Sequence, residues 1–425
     1  MRIAMISEHA SPLAVLGGVD AGGQNVHVAA VSEALAARGH TVTVYTRRDD
    51  AALDERVPLS EGVEVVNVTA GPARSIPKDH LLPYMDALAD GVREDCLRTR
   101  PDILHGHFWM SGVAAIRAAQ GLSVSDDGAR LPVVETFHAL GTVKRRHQKA
   151  DDTSPVERRH LEPWVGQTAD GVLATCSDEV TELLAMGVDP RRISIAPCGV
   201  DTELLNPIGP VAPRGRRFRI GVVGRLVPRK GVDLIIRALA LLRADGWDDV
   251  ELVIVGGGEP GPGETDPEVA RLQGIAVEQG VADRVVFQGR VPHTELPDVI
   301  RSCDAIVCAP WYEPFGIVPL EAMACGIPVV GAAVGGLLDT IVDGSTGILV
   351  EPRDPQAIAA AVARLLSDPL LGRRLGLAGR KRAVELYTWD RVAALTEECY
   401  QTVLDRTRAT GSPVRAAEVS HSLSR

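Results

Sequence analysis

The chain has no excess of positive charge, no paired-cysteine motif and no apolar run of membrane length. Its 425 residues carry 45 lysines and arginines against 56 aspartates and glutamates, a formal net charge of −11. That balance argues against nucleic acid or an anionic bilayer as the main partner. The seven cysteines, Cys96, Cys176, Cys198, Cys303, Cys308, Cys325 and Cys399, include no C-x-x-C pair, and most lie in apolar stretches. Buried thiols in a reducing compartment explain them better than metal sites or disulfides. No stretch approaches the ~20 apolar residues needed to span a bilayer. The opening MRIAMISEH runs straight into a strand, without a secretory signal. A cytoplasmic protein is expected. No D-x-D pair or metal-ligand cluster accompanies the candidate residues below, so neither a metal nor a cofactor is expected.

What is present is a soluble composition, 45% apolar and 24% charged, on a chain too long for one ordinary core. Short β-branched runs alternate with Ala/Leu-rich helical stretches. Strands are expected at Arg2–Ile6, Thr41–Tyr45, Val63–Val68, Ile103–His107, Pro132–Thr136, Val172–Thr175 and Ile193–Ala196. A Pro/Arg/Gly stretch, Gly209–Arg217, interrupts the pattern. It resumes with Phe218–Gly224, Val250–Gly256, Val285–Gln288, Ala305–Cys308, Pro328–Gly331 and Ile348–Val350. Near-continuous apolar strands between helices imply parallel sheets covered on both faces. The α/β reading is thus of two Rossmann-like, doubly wound domains, 1–208 and 209–386, with the ligand in the cleft between them. The tail from Arg408 to Arg425 is polar and expected to be disordered.

The most informative segment runs from 305 to 352: strand, loop, helix, strand. Glu313 and Glu321 flank Pro314, Phe315 and Gly316, where the helix should begin. A helix start offers unpaired N–H groups and the positive end of the peptide dipole to an anion. A carboxylate on either side can accept hydrogen bonds from hydroxyls, so the segment suits a sugar joined to a phosphate. Glutamate is also common in first helical turns for the dipole alone, and the pair by itself decides nothing. The surrounding string E-P-F-G-I-V-P-L-E-A-M-A-C-G-I-P-V-V resembles the donor-binding signature of retaining glycosyltransferases of family 4, which have the GT-B fold.

That resemblance covers roughly residues 1–400 and implies a nucleotide-diphosphate sugar, UDP- or GDP-linked, as donor. Glu321 would hold the donor ribose and Glu313 the hydroxyls of the transferred sugar, with the backbone of Phe315, Gly316 and Ile317 against sugar and phosphate. Gly224-Arg-Leu-Val-Pro-Arg-Lys-Gly is similar to the family's G-R-x-x-x-x-K-G motif, in which Arg225 and Lys230 would bind the diphosphate. Fixed cations there stabilise the charge that grows on a departing diphosphate. Arg290 lies where the family binds the base. In the first half, D-A-G-G-Q-N-V is similar to the loop that lies against diphosphate and acceptor, making Gly22, Gly23 and Asn25 candidates, within a run also bracketed by Gly17 and Gly18. Glycines there admit close backbone approach. His138 matches the family histidine that reaches the transferred sugar, whereas His27, His105 and His107 have no such support and are read as packing or supporting residues. Gly256-Gly-Gly-Glu-Pro-Gly has the wrong spacing for a dinucleotide loop and is read as a turn. The family pattern also implies that a helix over 387–407, with Tyr387, Trp389 and Tyr400, crosses back to the first domain.

The acceptor is less defined. Lys144, Arg145, Arg146, Lys149, Arg158 and Arg159 form a basic stretch that could be a solvated face or a binding one. Mycothiol-type members, which transfer N-acetylglucosamine to an inositol phosphate, grip the acceptor phosphate with a lysine, an arginine, a tyrosine and a threonine. Lys78 and Arg158 or Arg159 are plausible counterparts of the charges, but Phe108 and Ala139 stand where the two hydroxyls are expected. The reading is therefore front-face retaining transfer to a small, soluble acceptor of anionic character, with the inositol-phosphate reaction as the alternative and a homodimer left open. Two other classes remain at this stage: a nucleotide-sugar 2-epimerase, and a non-catalytic nucleotide-sugar-binding protein.

Overall fold

The computed structural model describes residues 1–14, 22–122, 130–149, 152–257 and 266–410. Gly17, Gly18 and most of the glycine turn after Gly256 lie outside the described residues, as does 411–425. Among those described, fourteen strands form two sheets. The first contains β1 (Arg2–Ile6), β2 (Thr41–Arg47), β3 (Arg56–Ser60), β4 (Val63–Val68), β5 (Ile103–His107), β6 (Val133–Thr136), β7 (Gly171–Ala174) and β8 (Ile193–Ile195). The second contains β9 (Phe218–Val223), β10 (Val250–Val255), β11 (Val285–Gly289), β12 (Ala305–Cys308), β13 (Val329–Ala332) and β14 (Gly347–Val350).

The spatial orders are 3-4-2-1-5-6-7-8 and 11-10-9-12-13-14. Every pairing is parallel except β3 with β4. Strand β3 was not anticipated. Its sequence Arg-Val-Pro-Leu-Ser is half exposed, and Pro58 suits an edge because it cannot donate to a ladder. In each sheet the order reverses beside the first strand: Ile3 pairs with both Val42 and Ile103, and Gly221 pairs with both Val253 and Ile306. Strand ends at such reversals leave a crevice, and the two crevices form the site. Both faces of each sheet are covered by apolar clusters, so the strands are buried as their continuous hydrophobicity requires.

The chain crosses between the sheets twice, at one place. The Val200 N–H donates to the Tyr387 carbonyl at 2.8 Å, and Val200 and Thr388 form an isolated parallel bridge. After β8 the chain already adheres to the second sheet before Gly209: Leu205 lies in its core, and Arg301 donates to the carbonyls of Asn206 and Pro210. The returning helix is Trp389–Thr410, so residues 408–410, expected to be disordered, are helical. Its Val392, Ala393, Cys399, Tyr400 and Val403 pack with Ile3, Val134 and Leu173 on the first sheet. Tyr387 instead joins the second core. Among the described residues no helix is long and apolar enough to cross a membrane.

One core residue resists the apolar pattern. Glu135, on β6, is wholly buried, and neither carboxyl oxygen has a hydrogen-bond partner among the described residues. It fits against the backbone of Gly106 and Gly112, where an added Cβ would come within 2.4 and 2.6 Å of its Oε2. Burial, then the charges of Glu8, Glu162 and Glu179, raise its pKa well above 4.5, so the folded state keeps it protonated. Between the ordinary carboxylate range and that raised value the unfolded chain has released the proton and the folded chain has not. Stability contributed at this site is therefore present at acid pH and lost as pH rises. Replacing Glu135 with Met removes this dependence. Urea unfolding of Glu135→Met should gain on the wild type by about 1.4 kcal/mol per pH unit above that range; parallel pH profiles would contradict the assignment.

Candidate active site

The cleft, about 390 Å³, lies within the ~300–1,000 Å³ usual for small-ligand sites. It collects the ends of β1, β5, β6, β9 and β12. Its first wall begins at Gly22 and Gly23, which open the helix Gly23–Ala37. A Cβ on Gly23 would meet Ile317 Cδ1 at 3.2 Å and the Phe315 ring at 3.6 Å, and one on Gly22 would rest on the Arg225 guanidinium at 3.8 Å. Backbone therefore meets the opposite wall directly. Asn25 secures the loop: its Oδ1 accepts from the Gly22 N–H at 3.0 Å and its Nδ2 donates to the Ser11 carbonyl at 2.9 Å. Asn25 lines the cleft, but both ends of its amide are engaged in holding the loop.

Two neighbouring strand ends carry backbone in the left-handed region, with φ of 85° at Phe108 and 60° at His138. Non-glycine residues adopt this at a cost and cluster at functional sites. His138 is 3% exposed and lines the cleft. Its ring meets Phe315 of the opposite wall edge-on at 5.4 Å. Burial, then the charges of neighbouring histidines, hold its pKa well below the usual imidazole value, so it is neutral. His27, His105 and His107 lie buried behind it.

The second wall holds the charges. Arg225 follows β9, and Lys230 ends a single helical turn, Pro228–Lys230. Lys230 Nζ donates to Glu313 Oε2. Burial works against ionisation of Glu313, but the Lys230 and Arg229 charges, the Lys230 hydrogen bond and the Phe315 N–H outweigh it and lower its pKa. Gly316 caps the next helix at φ 76°, a conformation that favours glycine. That helix is Ile317–Ala324, beginning just beyond the expected Pro-Phe-Gly start. Glu321 lies one turn in, 3.5 Å from His293 Nε2, and hydrogen bonding to Glu321 raises the His293 pKa despite burial.

Of the residues singled out in the sequence, Gly22, Gly23, Asn25, Lys78, His138, Arg225, Lys230, Glu313, Phe315, Gly316, Ile317 and Glu321 line one cleft. Arg158, Arg159 and Arg290 are not among the described residues that line it. Arg158 is turned inward: buried, it donates from Nε and Nη2 to Glu162 at 2.9 and 2.7 Å and lies over the Phe108 ring. Its charge is already met by a buried carboxylate. Arg159 is exposed on the same helix, Arg158–Thr168. The rest of the basic stretch is partly paired within the fold, Lys144 with Asp152 at 3.1 Å and Arg146 with Glu182 at 2.7 Å. Sequence reasoning assigned no role to His9, Gln24 and Arg229, which also line the cleft. His9, held by Glu8 at 2.8 Å, was detectable as the first imidazole beyond a strand that ends at a reversal. His293 had no signal. Among the described residues no group of three or more His, Cys, Asp or Glu could hold a metal ion.

Two parallel α/β sheets facing across a cationic cleft, with a returning C-terminal helix, define a GT-B glycosyltransferase. Residues 21–204 match the model of Glycosyltransferase Family 4 and residues 210–382 that of Glycosyl transferases group 1. A D-inositol 3-phosphate glycosyltransferase of Acidothermus cellulolyticus is 35% identical over 432 residues, covering 98% of this chain and 94% of the relative. One of Stackebrandtia nassauensis is 36% identical, covering 92% and 89%. The chain belongs to glycosyltransferase family 4 and is an enzyme of that family. Among solved structures, sucrose-phosphate synthase of Thermosynechococcus elongatus superposes with a TM-score of 0.83 at 30% identity, covering 95% of this chain and 99% of that one. HepE of Anabaena, in complex with UDP and glucose, shares the fold at 0.70 and 20% identity, covering 95% and 99%.

The Lys230–Glu313 pair generates a prediction of its own. Lys230→Ala takes from buried Glu313 its hydrogen-bonded cation, leaving only the Arg229 charge and the Phe315 N–H, and should lower unfolding free energy by about 2 kcal/mol. Adding Glu313→Gln should recover more than half of that loss in denaturant melts. A double variant no more stable than Lys230→Ala would mean the pair is not structural.

Proposed function

We propose that the enzyme moves a sugar from a nucleoside-diphosphate sugar to a hydroxyl of a small soluble acceptor, with retention at the anomeric carbon. The observation that carries this is the convergence of Arg225, Lys230, Glu313, Glu321 and His138 in one cleft. Glu321 is positioned to accept from ribose hydroxyls and Glu313 from hydroxyls of the sugar. Arg225 and Lys230 compensate the negative charge that grows on the leaving diphosphate. In front-face transfer the acceptor oxygen bonds to the anomeric carbon on the face that the diphosphate leaves. The carbon–oxygen bond to the phosphate breaks, and the acceptor proton passes to a leaving phosphate oxygen. No side chain is needed as nucleophile. Closure of the two walls excludes water and limits hydrolysis.

UDP is the first nucleotide to test, because HepE is described in complex with it. D-inositol 3-phosphate is the first acceptor, because full-length relatives carry that name and Lys78 lines the cleft. Against a phosphorylated inositol stand Phe108 and Ala139, which offer no hydroxyl, and Arg158, whose guanidinium is met by Glu162. Each missing bond to a charged group is worth ~1.5–3 kcal/mol, so a less highly charged acceptor is favoured. A cytoplasmic setting accords with the seven unpaired cysteines.

Calorimetric titration with UDP-, GDP-, ADP- and TDP-sugars tests the donor site. One nucleotide should bind in the micromolar range. Glu321→Ala and the Arg225→Ala/Lys230→Ala double variant should each abolish detectable binding while remaining folded. Absence of binding to all four by folded wild type would remove the reading.

A further inference from the structure

Behind the first wall, His27, His105, His107 and His138 form one buried cluster. The rings of His105 and His107 lie 4.1 Å apart, those of His107 and His138 stack at 5.1 Å, and His27 meets His138 edge-on at 5.0 Å. Burial drives the pKa of His27 down to about 4 and of His105 to about 3, with His107 and His138 also well below the usual value. All four are neutral at physiological pH. Each therefore has one N–H donor and one bare nitrogen acceptor.

The partners then constrain the protons. His105 is satisfied on both sides, by the Tyr400 hydroxyl at 2.6 Å and the Thr136 hydroxyl at 2.9 Å. His107 Nδ1 and His138 Nε2 share a hydrogen bond of 2.9 Å, and the two outer nitrogens, His107 Nε2 and His138 Nδ1, have no protein partner. A single proton occupies that bond, so two arrangements exist. If His138 donates, His107 keeps an N–H on Nε2, buried in the fold without an acceptor. If His107 donates, its Nε2 is merely a bare acceptor, and the unmatched N–H falls on His138 Nδ1, on a residue that lines the cleft. A buried N–H with no acceptor is the rarer and costlier orphan. The second arrangement also leaves a buried N–H without a protein partner, but on a residue that lines the cleft, where an entering ligand is the one partner to be had.

We propose that His107 is a positioning residue for transfer: its Nδ1–H donates to His138 Nε2 and holds His138 as the Nδ1–H tautomer, ready to donate to a hydroxyl oxygen of the bound sugar. The inference deepens the donor-site reading and rests on it for the identity of the ligand, but the tautomer belongs to the protein alone. The hydrogen bond also braces a residue whose backbone is held at φ 60°, so that ring orientation does not have to be established on binding.

The experiment is nitrogen-15 NMR of histidine-labelled full-length protein, without ligand and with UDP, for wild type, His107→Asn and His107→Phe. Wild type should show His138 protonated on Nδ1 and bare on Nε2. His107→Asn, whose amide N–H can replace the Nδ1–H, should keep that pattern; His107→Phe should lose it. With UDP-glucose as donor probe and D-inositol 3-phosphate as acceptor probe, UDP release should fall about tenfold in His107→Phe, the effect of one positioning hydrogen bond, with KM changed less than about twofold and with recovery in His107→Asn. An Nε2–H tautomer of His138 in wild type, or an unchanged tautomer in a folded His107→Phe, would overturn the proposal. Should the Phe variant not fold, the wild-type tautomer still decides. If UDP-glucose is neither bound nor turned over while the Nδ1–H tautomer is observed, the donor reading has failed at this probe and the positioning of His138 by His107 stands.

Discussion

Everything in the site depends on two walls meeting through backbone instead of side chains. Gly22 and Gly23 present bare Cα atoms to Arg225, Phe315 and Ile317, and Asn25 keeps them there from the first turn of the helix that they open. Any side chain at Gly23 would have to displace Ile317, the residue that opens the helix carrying Glu321. A Cβ at Gly22 would make only ordinary contact with Arg225 at 3.8 Å, so Gly23 is the position at which the missing β-carbon lets the walls approach. The parallel sheets do the rest: each supplies loops at the carboxyl ends of strands on either side of a reversal, so residues distant in sequence arrive together.

The electrostatics follow a division between the interior and the cleft. Charges buried in the fold are met internally: Arg158 by Glu162, and Arg219 by Glu251. Glu135 is an exception, and it remains protonated. At the cleft, Arg225, Arg229 and Lys230 concentrate positive charge on one wall of an acidic protein. The opposite wall contributes the neutral His138 together with Lys78. Most of the positive charge of the cleft is thus gathered on the second wall, beside the carboxylates of Glu313 and Glu321.

Much of this was legible in the residues themselves. Strand β9 and the loop Gly224–Gly231, and strand β12 with the E-P-F-G…E string, announced both the second sheet and its wall of the cleft, because apolar runs followed by glycine and charge are local features. The expected strands recur with ends shifted by a residue or two. Three things were not legible. Strand β3 is short, half exposed and contains Pro58, so it lacks an apolar signature. The inward turn of Arg158 depends on Glu162 four residues on and on Phe108 fifty residues earlier; a charged residue in a basic stretch gives no sign of burial. The histidine cluster is assembled from the helix after Gly22, from β5 and from the loop after β6. Its meaning resides in a hydrogen bond between residues thirty-one apart.

The double crossing at Val200 and Thr388 gives the molecule a property that neither sheet has alone. The second α/β unit is tethered at both ends, and the returning helix is anchored in the first core by Tyr400 and its neighbours. Its wall of the cleft is therefore presented to the other at a high effective concentration. Reassembly after opening is a search over a few backbone torsions at two adjoining strands of chain, not a docking of independent bodies. The entropy of bringing the walls together has largely been lost when the chain folds, and little of it remains to be supplied by the substrate.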